Sequence, residues 1–147
     1  MFAPRIPEAL STSDVKAKAW TRFLVSFYGG IDEEILLRLF IVSGLAWILG
    51  RFWVNASGLP TNGAFWTAII LAAILFGLGH LPATKAIVPL TTMIVVRAVV
   101  LNGLAGIAFG WLYWQYGLET AMVAHFSADI LLHLISPMFA KPTVSST

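Results

Sequence analysis

Glu33-Glu34-Ile35-Leu36-Leu37-Arg38, running on through Leu39-Phe40-Ile41-Val42 to Trp47-Ile48-Leu49, is the stretch on which the fold turns. Its later part has the apolar density of a membrane span, yet its head carries Asp32, Glu33, Glu34 and Arg38. A charged residue near the centre of a membrane helix costs roughly 2.5–3.5 kcal/mol, while each Leu, Ile, Val or Phe returns only about 0.3–0.6 kcal/mol. The charges would cancel most of the favourable term unless they meet partners or water inside a bundle. The segment therefore predicts one helix of a multi-helix membrane assembly, with a functional site where its ionisable groups lie.

Composition supports this class. The chain has 147 residues, 59% hydrophobic and 11% charged, against about 45–50% and about 25% in soluble domains. A net charge of +2, with thinly spread basic residues, excludes a nucleic-acid partner. The absence of cysteine removes disulfides and thiolate chemistry. Met1 to Ala19 is too polar for a signal peptide. An open sheet edge cannot be left in lipid, so helices are expected throughout.

Working outward, residues 1–13 read as a flexible tail. Residues 14–140 read as a single membrane domain, and 141–147 as a second tail. Asp14 is placed to cap a helix from Val15, and Lys16, Lys18 and Arg22 among Trp20, Phe23, Leu24 and Phe27 suit an N-terminal interfacial helix. Gly29-Gly30 is expected to break it. About four spans follow, near 31–53, 63–81, 90–114 and 118–139, each close to the ~20 residues needed for the hydrocarbon core. Turn chemistry separates them at Asn55 to Pro60, Pro82 to Pro89 and Tyr116-Gly117. The fold class is thus all-α, a multi-pass transmembrane helical bundle. Gly106-x-x-x-Gly110 on the third span predicts close helix contact.

Arg5, Lys16, Lys18 and Arg22 precede the first span, Lys85 lies between the second and third, and Lys141 follows the fourth, against Arg51 alone on the other side. The positive-inside rule places both termini in the cytoplasm, with the chain in the plasma membrane. Trp53, Trp66, Trp111 and Trp114 then fall near the outer ends, as an aromatic belt would.

Three polar clusters interrupt the apolar helices. Glu34 and Arg38 are four apart in the order that favours a helical ion pair, which leaves Glu33 over, roughly 100° round the helix. Phe76-Gly77-Leu78-Gly79-His80 ends the second span, and its glycines permit close approach of a backbone or substrate. His125-x-x-x-Asp129 puts an imidazole and a carboxylate on one face, with His133 next on the stripe. Each cluster has a structural reading: a neutralised interfacial pair, a satisfied histidine, a polar seam between helices. Arg97 and Asn102 on the third span could belong to the same polar interior, and a structural role is the preferred reading. One shared cavity, in which the groups satisfy each other and admit water, costs less than three separate polar seams in one small bundle.

Glu33-Glu34-x-x-x-Arg38, Phe76-x-x-x-His80 and His125-x-x-x-Asp129, in this order on separate spans, resemble the motifs of the CAAX protease and bacteriocin-processing (Abi) family of intramembrane endopeptidases. The resemblance runs from Glu33 to Asp129. It implies a membrane-helix bundle with a polar cavity open to the cytoplasm, and peptide-bond hydrolysis on a membrane-associated or lipidated peptide or protein substrate. Glu33 would be the general base for a water that His80 helps to hold. His125 and Asp129 would face the carbonyl oxygen, and Glu34, Arg38 and Phe76 would support them. The residues alone do not choose Glu33 over Glu34; the family pattern does. Where many relatives have Asn, this chain has Asp129, which as a carboxylate cannot donate to an oxyanion, so its expected role is to orient His125. The family commonly has more helices, which leaves room for a homo-oligomer. The family is often labelled a metalloprotease, and Glu33, His80 and His125 would be the ligands of a zinc ion; without an HExxH motif, a metal-free, glutamate-activated water fits the same residues. The alternative function is non-enzymatic: a transport or binding protein using the same cavity for protons or a divalent cation.

Overall fold

The computed structural model describes residues 19–136. Among them the only strand-like feature is a single antiparallel bridge between Val54 and Pro60. The tails, the cap at Asp14 and the last residues of the fourth predicted span lie outside this range.

The first rod begins as α1 (Ala19–Tyr28), passes through two π-helical segments, Gly29–Glu33 and Ile35–Val42, and ends as α2 (Ser43–Gly50). The expected break at Gly29-Gly30 does not occur. Tyr28 and Glu34, on either side, hold right-handed helical dihedrals, and the helix widens instead of stopping. The two glycines are buried because the rod presses on the last helix there. A Cβ on Gly29 would stand 2.7 Å from Asp129 Oδ2, and one on Gly30 would stand 2.9 Å from Phe126 Cβ. They are close-approach positions, which only a residue without a side chain can fill.

The loop after α2 follows its turn signals. Asn55 Oδ1 accepts from the N–H of Ser57 at 2.9 Å and of Leu59 at 3.1 Å, and Gly58 takes a positive φ of 74°. Thr61 caps α3 (Asn62–Gly79) by accepting from Ala64 N at 3.3 Å. The predicted joint from Pro82 to Pro89 is largely a short helix, α4 (Leu81–Ile87), with Pro82 in its first turn, where no N–H is needed. Thr91 caps α5 (Thr92–Tyr116). Gly117, at φ 96°, turns the chain into α6 (Leu118–Asp129), which continues as the π-helical segment Ile130–Ile135.

α3 and α5 pack against each other most closely, and small residues allow it. Added Cβ atoms would meet Val99 O at 2.9 Å from Gly77, Ala73 Cα at 3.0 Å from Gly106 and Ile69 Cγ2 at 2.8 Å from Gly110. The contact expected from Gly106-x-x-x-Gly110 is therefore present, with its partner on α3. Val42, Ala46, Ala68, Ile69 and Ala72 form the core between the first rod and α3. Ser43 Oγ and Tyr113 OH share a 2.6 Å hydrogen bond that ties that rod to α5.

The surface is oily and part of the interior is charged. Phe40, Trp47 and Leu104 are each more than 60% exposed, while Glu34 and Arg38 are completely buried. This reverses the usual soluble pattern. Two helices, Asn62–Ile87 and Thr92–Tyr116, are long and apolar enough to cross a membrane. The first and fourth predicted spans correspond to rods that alternate between α and π geometry.

Candidate active site

The π segment Gly29–Glu33, the C-terminal end of α3, α5 and α6 enclose a cavity of about 460 Å³. Glu33, His80, His125 and Asp129 all line it. The shared cavity expected from the sequence therefore exists, and it gathers side chains from three separate stretches of chain.

Glu34 and Arg38 lie behind the cavity wall. Arg38 Nε stands 3.0 Å from Glu34 Oε2, in ion-pair contact but not aligned as a hydrogen bond. Arg38 Nη2 donates to Gly106 O at 3.3 Å. Its guanidinium lies 5.7 Å from the Phe76 ring centre and 5.9 Å from that of Phe109, so aromatic faces receive part of the charge. Of the two adjacent glutamates, Glu34 is the one in ion-pair contact with Arg38. The two glutamates divide as their helix positions dictate: Glu34 is sealed in, while Glu33 is 28% exposed and reaches the cavity.

Glu34 also fixes His125. His125 Nδ1 stands 2.8 Å from Glu34 Oε1; a carboxylate only accepts, so Nδ1 carries the proton and donates. The ring stacks on Phe109 at 4.7 Å and meets the Phe76 edge at 5.8 Å. Asp129 Oδ2 is 3.8 Å from His125 Nε2, beyond hydrogen-bond reach, and the orienting bond comes from a glutamate 91 residues away. Nε2 is thus turned towards Asp129 and towards Glu33, whose Oε2 is 4.0 Å off. On its other side Asp129 Oδ1 is 3.8 Å from His133 Nε2, and His133 also lines the cavity.

His80 is fixed by its own helix. Its Nδ1 is 2.9 Å from the Phe76 carbonyl, which can only accept, so Nδ1 donates and the lone pair is on Nε2. The Phe76 ring packs against the imidazole at 4.6 Å. Phe76 is therefore the common wall of His80, His125 and Arg38.

Several lining residues were missed or misread from sequence. Phe109 carried no signal beyond its place on the α5 face that also holds Ile94, Ala98, Leu101 and Ala105. Gly29 was read as a breaker. Arg97 and Asn102, which the sequence allowed in the polar interior, both line the cavity, and Asn102 also bonds locally, from Nδ2 to Ala98 O at 2.9 Å.

Zinc was expected, if present, on Glu33, His80 and His125. Among the described residues no three histidine, aspartate or glutamate side chains are gathered as a metal site. Each imidazole commits Nδ1 to a carbonyl or a carboxylate, which leaves Nε2 as the remaining ring nitrogen, an arrangement that metal-ligating histidines share.

A protein-family model described as type II CAAX prenyl endopeptidase Rce1-like matches residues 15–131. No curated protein and no solved structure matches the chain.

Proposed function

The chain belongs to the type II CAAX prenyl endopeptidase Rce1-like family, and from that membership we propose that it is an intramembrane endopeptidase whose general base is Glu33. Membership makes it a peptidase-family membrane protein; the residue roles are our reading. One observation carries them: Glu33, His80, His125 and Asp129 line a single cavity, while Glu34 is withdrawn from it.

In this mechanism a water lies between Glu33 and the lone pair of His80 Nε2. Glu33 takes its proton, and the hydroxide forms a bond to the scissile carbonyl carbon. His125 faces the developing oxyanion through Nε2. Because Nδ1 already donates to Glu34, donation from Nε2 requires the doubly protonated ring, beside which Asp129 lies. The C–N bond then breaks, and Glu33 passes its proton to the leaving amine. A positioned general base contributes roughly 10²–10⁴-fold, and an oxyanion donor roughly 10²–10³-fold. The substrate is a membrane-associated or lipidated peptide that enters from the cytoplasmic side of the plasma membrane, where both termini lie.

The test is turnover of a prenylated peptide by protein purified into nanodiscs. Glu33→Gln, His80→Ala and His125→Ala should each lower kcat by at least about a hundredfold, with circular dichroism unchanged. If all three variants remain active, the assignment is wrong. Proton or cation flux in liposomes without peptide cleavage would favour the transport alternative.

A further inference from the structure

Among the described residues, nothing hydrogen-bonds the nitrogen through which His125 would act. Nδ1 is tied to Glu34, but Nε2 stands 3.8 Å from Asp129 Oδ2 and 4.0 Å from Glu33 Oε2, beyond hydrogen-bond reach of both. A single bond at Nδ1 fixes one atom of the ring and leaves the plane free to turn about it. The direction of Nε2 is therefore set by what packs on the ring. Two aromatic rings do so. Phe76 meets it edge-on, at 83° and 5.8 Å, while Phe109 lies nearly parallel to it, at 18° and 4.7 Å. A parallel face in contact resists tilting of the whole plane, which an edge does not.

Phe109 is itself firmly held. It is buried and stands on α5 between Gly106 and Gly110, where that helix is pressed against Ala73 and Ile69 of α3. Backbone contact this close leaves α5 little slack, so the Phe109 Cβ is fixed relative to α3. The Arg38 guanidinium lies 5.9 Å from the centre of the same ring, and this cation–aromatic contact restrains it further. The third predicted span carries none of the three polar clusters. Through Phe109 it nonetheless reaches the imidazole that the fourth span supplies and the first rod bonds.

We propose that Phe109 is a positioning residue of the reaction: its face holds the plane of His125 so that Nε2 points into the cavity, at the carbonyl oxygen of the substrate. It acts through His125. The proposal rests on the peptidase reading above, and its test separates the two. Misplacement of a reacting group by about 1 Å costs about a hundredfold in rate. Phe109→Leu and Phe109→Met keep an apolar side chain and lose the flat face. Each should lower kcat by roughly ten- to a hundredfold and leave KM little changed, and two shapes guard against one variant failing to fold. Phe109→Tyr keeps the face and should retain most of kcat. In the same nanodiscs, NMR of histidine-labelled protein reads the ring directly, with the His125 signal identified by its loss in His125→Ala. The order parameter of its Cε1–H bond should be that of a rigid group in the wild type and in Phe109→Tyr, and should fall below about 0.6 in the other two. A purely structural role would lower stability without moving this order parameter.

Wild-type kcat in the non-aromatic variants, a Phe109→Tyr as slow as Phe109→Leu, or a His125 ring that stays rigid while kcat falls would each overturn the proposal. A rise in KM with kcat intact would make Phe109 a wall of the substrate site, and the proposal would fail on that result too. The NMR measurement needs no substrate. A ring loosened only by the non-aromatic variants, in a protein that hydrolyses no prenylated peptide, would sustain the hold of Phe109 on His125 and remove the peptidase reading.

Discussion

Adjacent glutamates with opposite burial predict opposite consequences for the same substitution. Glu34→Gln removes one charge from a pair whose members are both completely buried, leaving Arg38 with the Gly106 carbonyl and two aromatic faces. Breaking a buried pair in this way costs about 3–5 kcal/mol, and the surviving contacts of Arg38 favour the lower end. Glu33→Gln acts on a side chain 28% exposed, whose closest ionic contact is 4.0 Å away, and should change stability by at most about 1 kcal/mol. The double variant Glu34→Gln with Arg38→Met removes both buried charges and keeps an amide oxygen for His125 Nδ1. It should recover most of the loss, since replacing both partners of a buried pair is often close to neutral. The assay is equilibrium unfolding in mixed micelles followed by tryptophan fluorescence, with turnover measured in parallel. The expected pattern is a stable but inactive Glu33→Gln, a destabilised Glu34→Gln, and a double variant that regains stability and some activity. The reasoning is refuted if Glu34→Gln unfolds like the wild type, or if the double variant is weaker than either single change.

Further outcomes follow from individual contacts. Gly29→Ala would put a methyl 2.7 Å from Asp129 Oδ2 and 3.4 Å from His125 Nε2; displacing these groups should lower kcat by about a hundredfold with helix content intact, and near-normal turnover would show that the contact is slack. Gly77→Leu drives a side chain into the Val99 backbone, 2.9–3.0 Å from the first added carbon; it should cost about 1–3 kcal/mol in the same unfolding assay. Under the metal-free mechanism proposed above, dialysis against a chelator should leave turnover unchanged. Loss of activity that zinc restores would show that the ligands rearrange in solution.

What the sequence determined by itself is local. Composition selected the membrane class, turn residues marked the joints around α3 and α5, and a spacing of four put Arg38 beside Glu34 and Asp129 near His125. These follow from the helical repeat, which needs no knowledge of neighbours. The tertiary structure decided which way each helix faces. Glu33 and Glu34 differ by one position, and only the packing of the first rod, with its π turns, assigns one to the cavity and the other to the interior. The Glu34–His125 bond joins residues 91 apart, and no periodicity encodes it. Gly29-Gly30 carries the composition of a breaker, yet proximity to α6 makes it a contact. The rotation of a helix about its axis is set by the summed fit of all its neighbours, so it appears only when the elements are assembled.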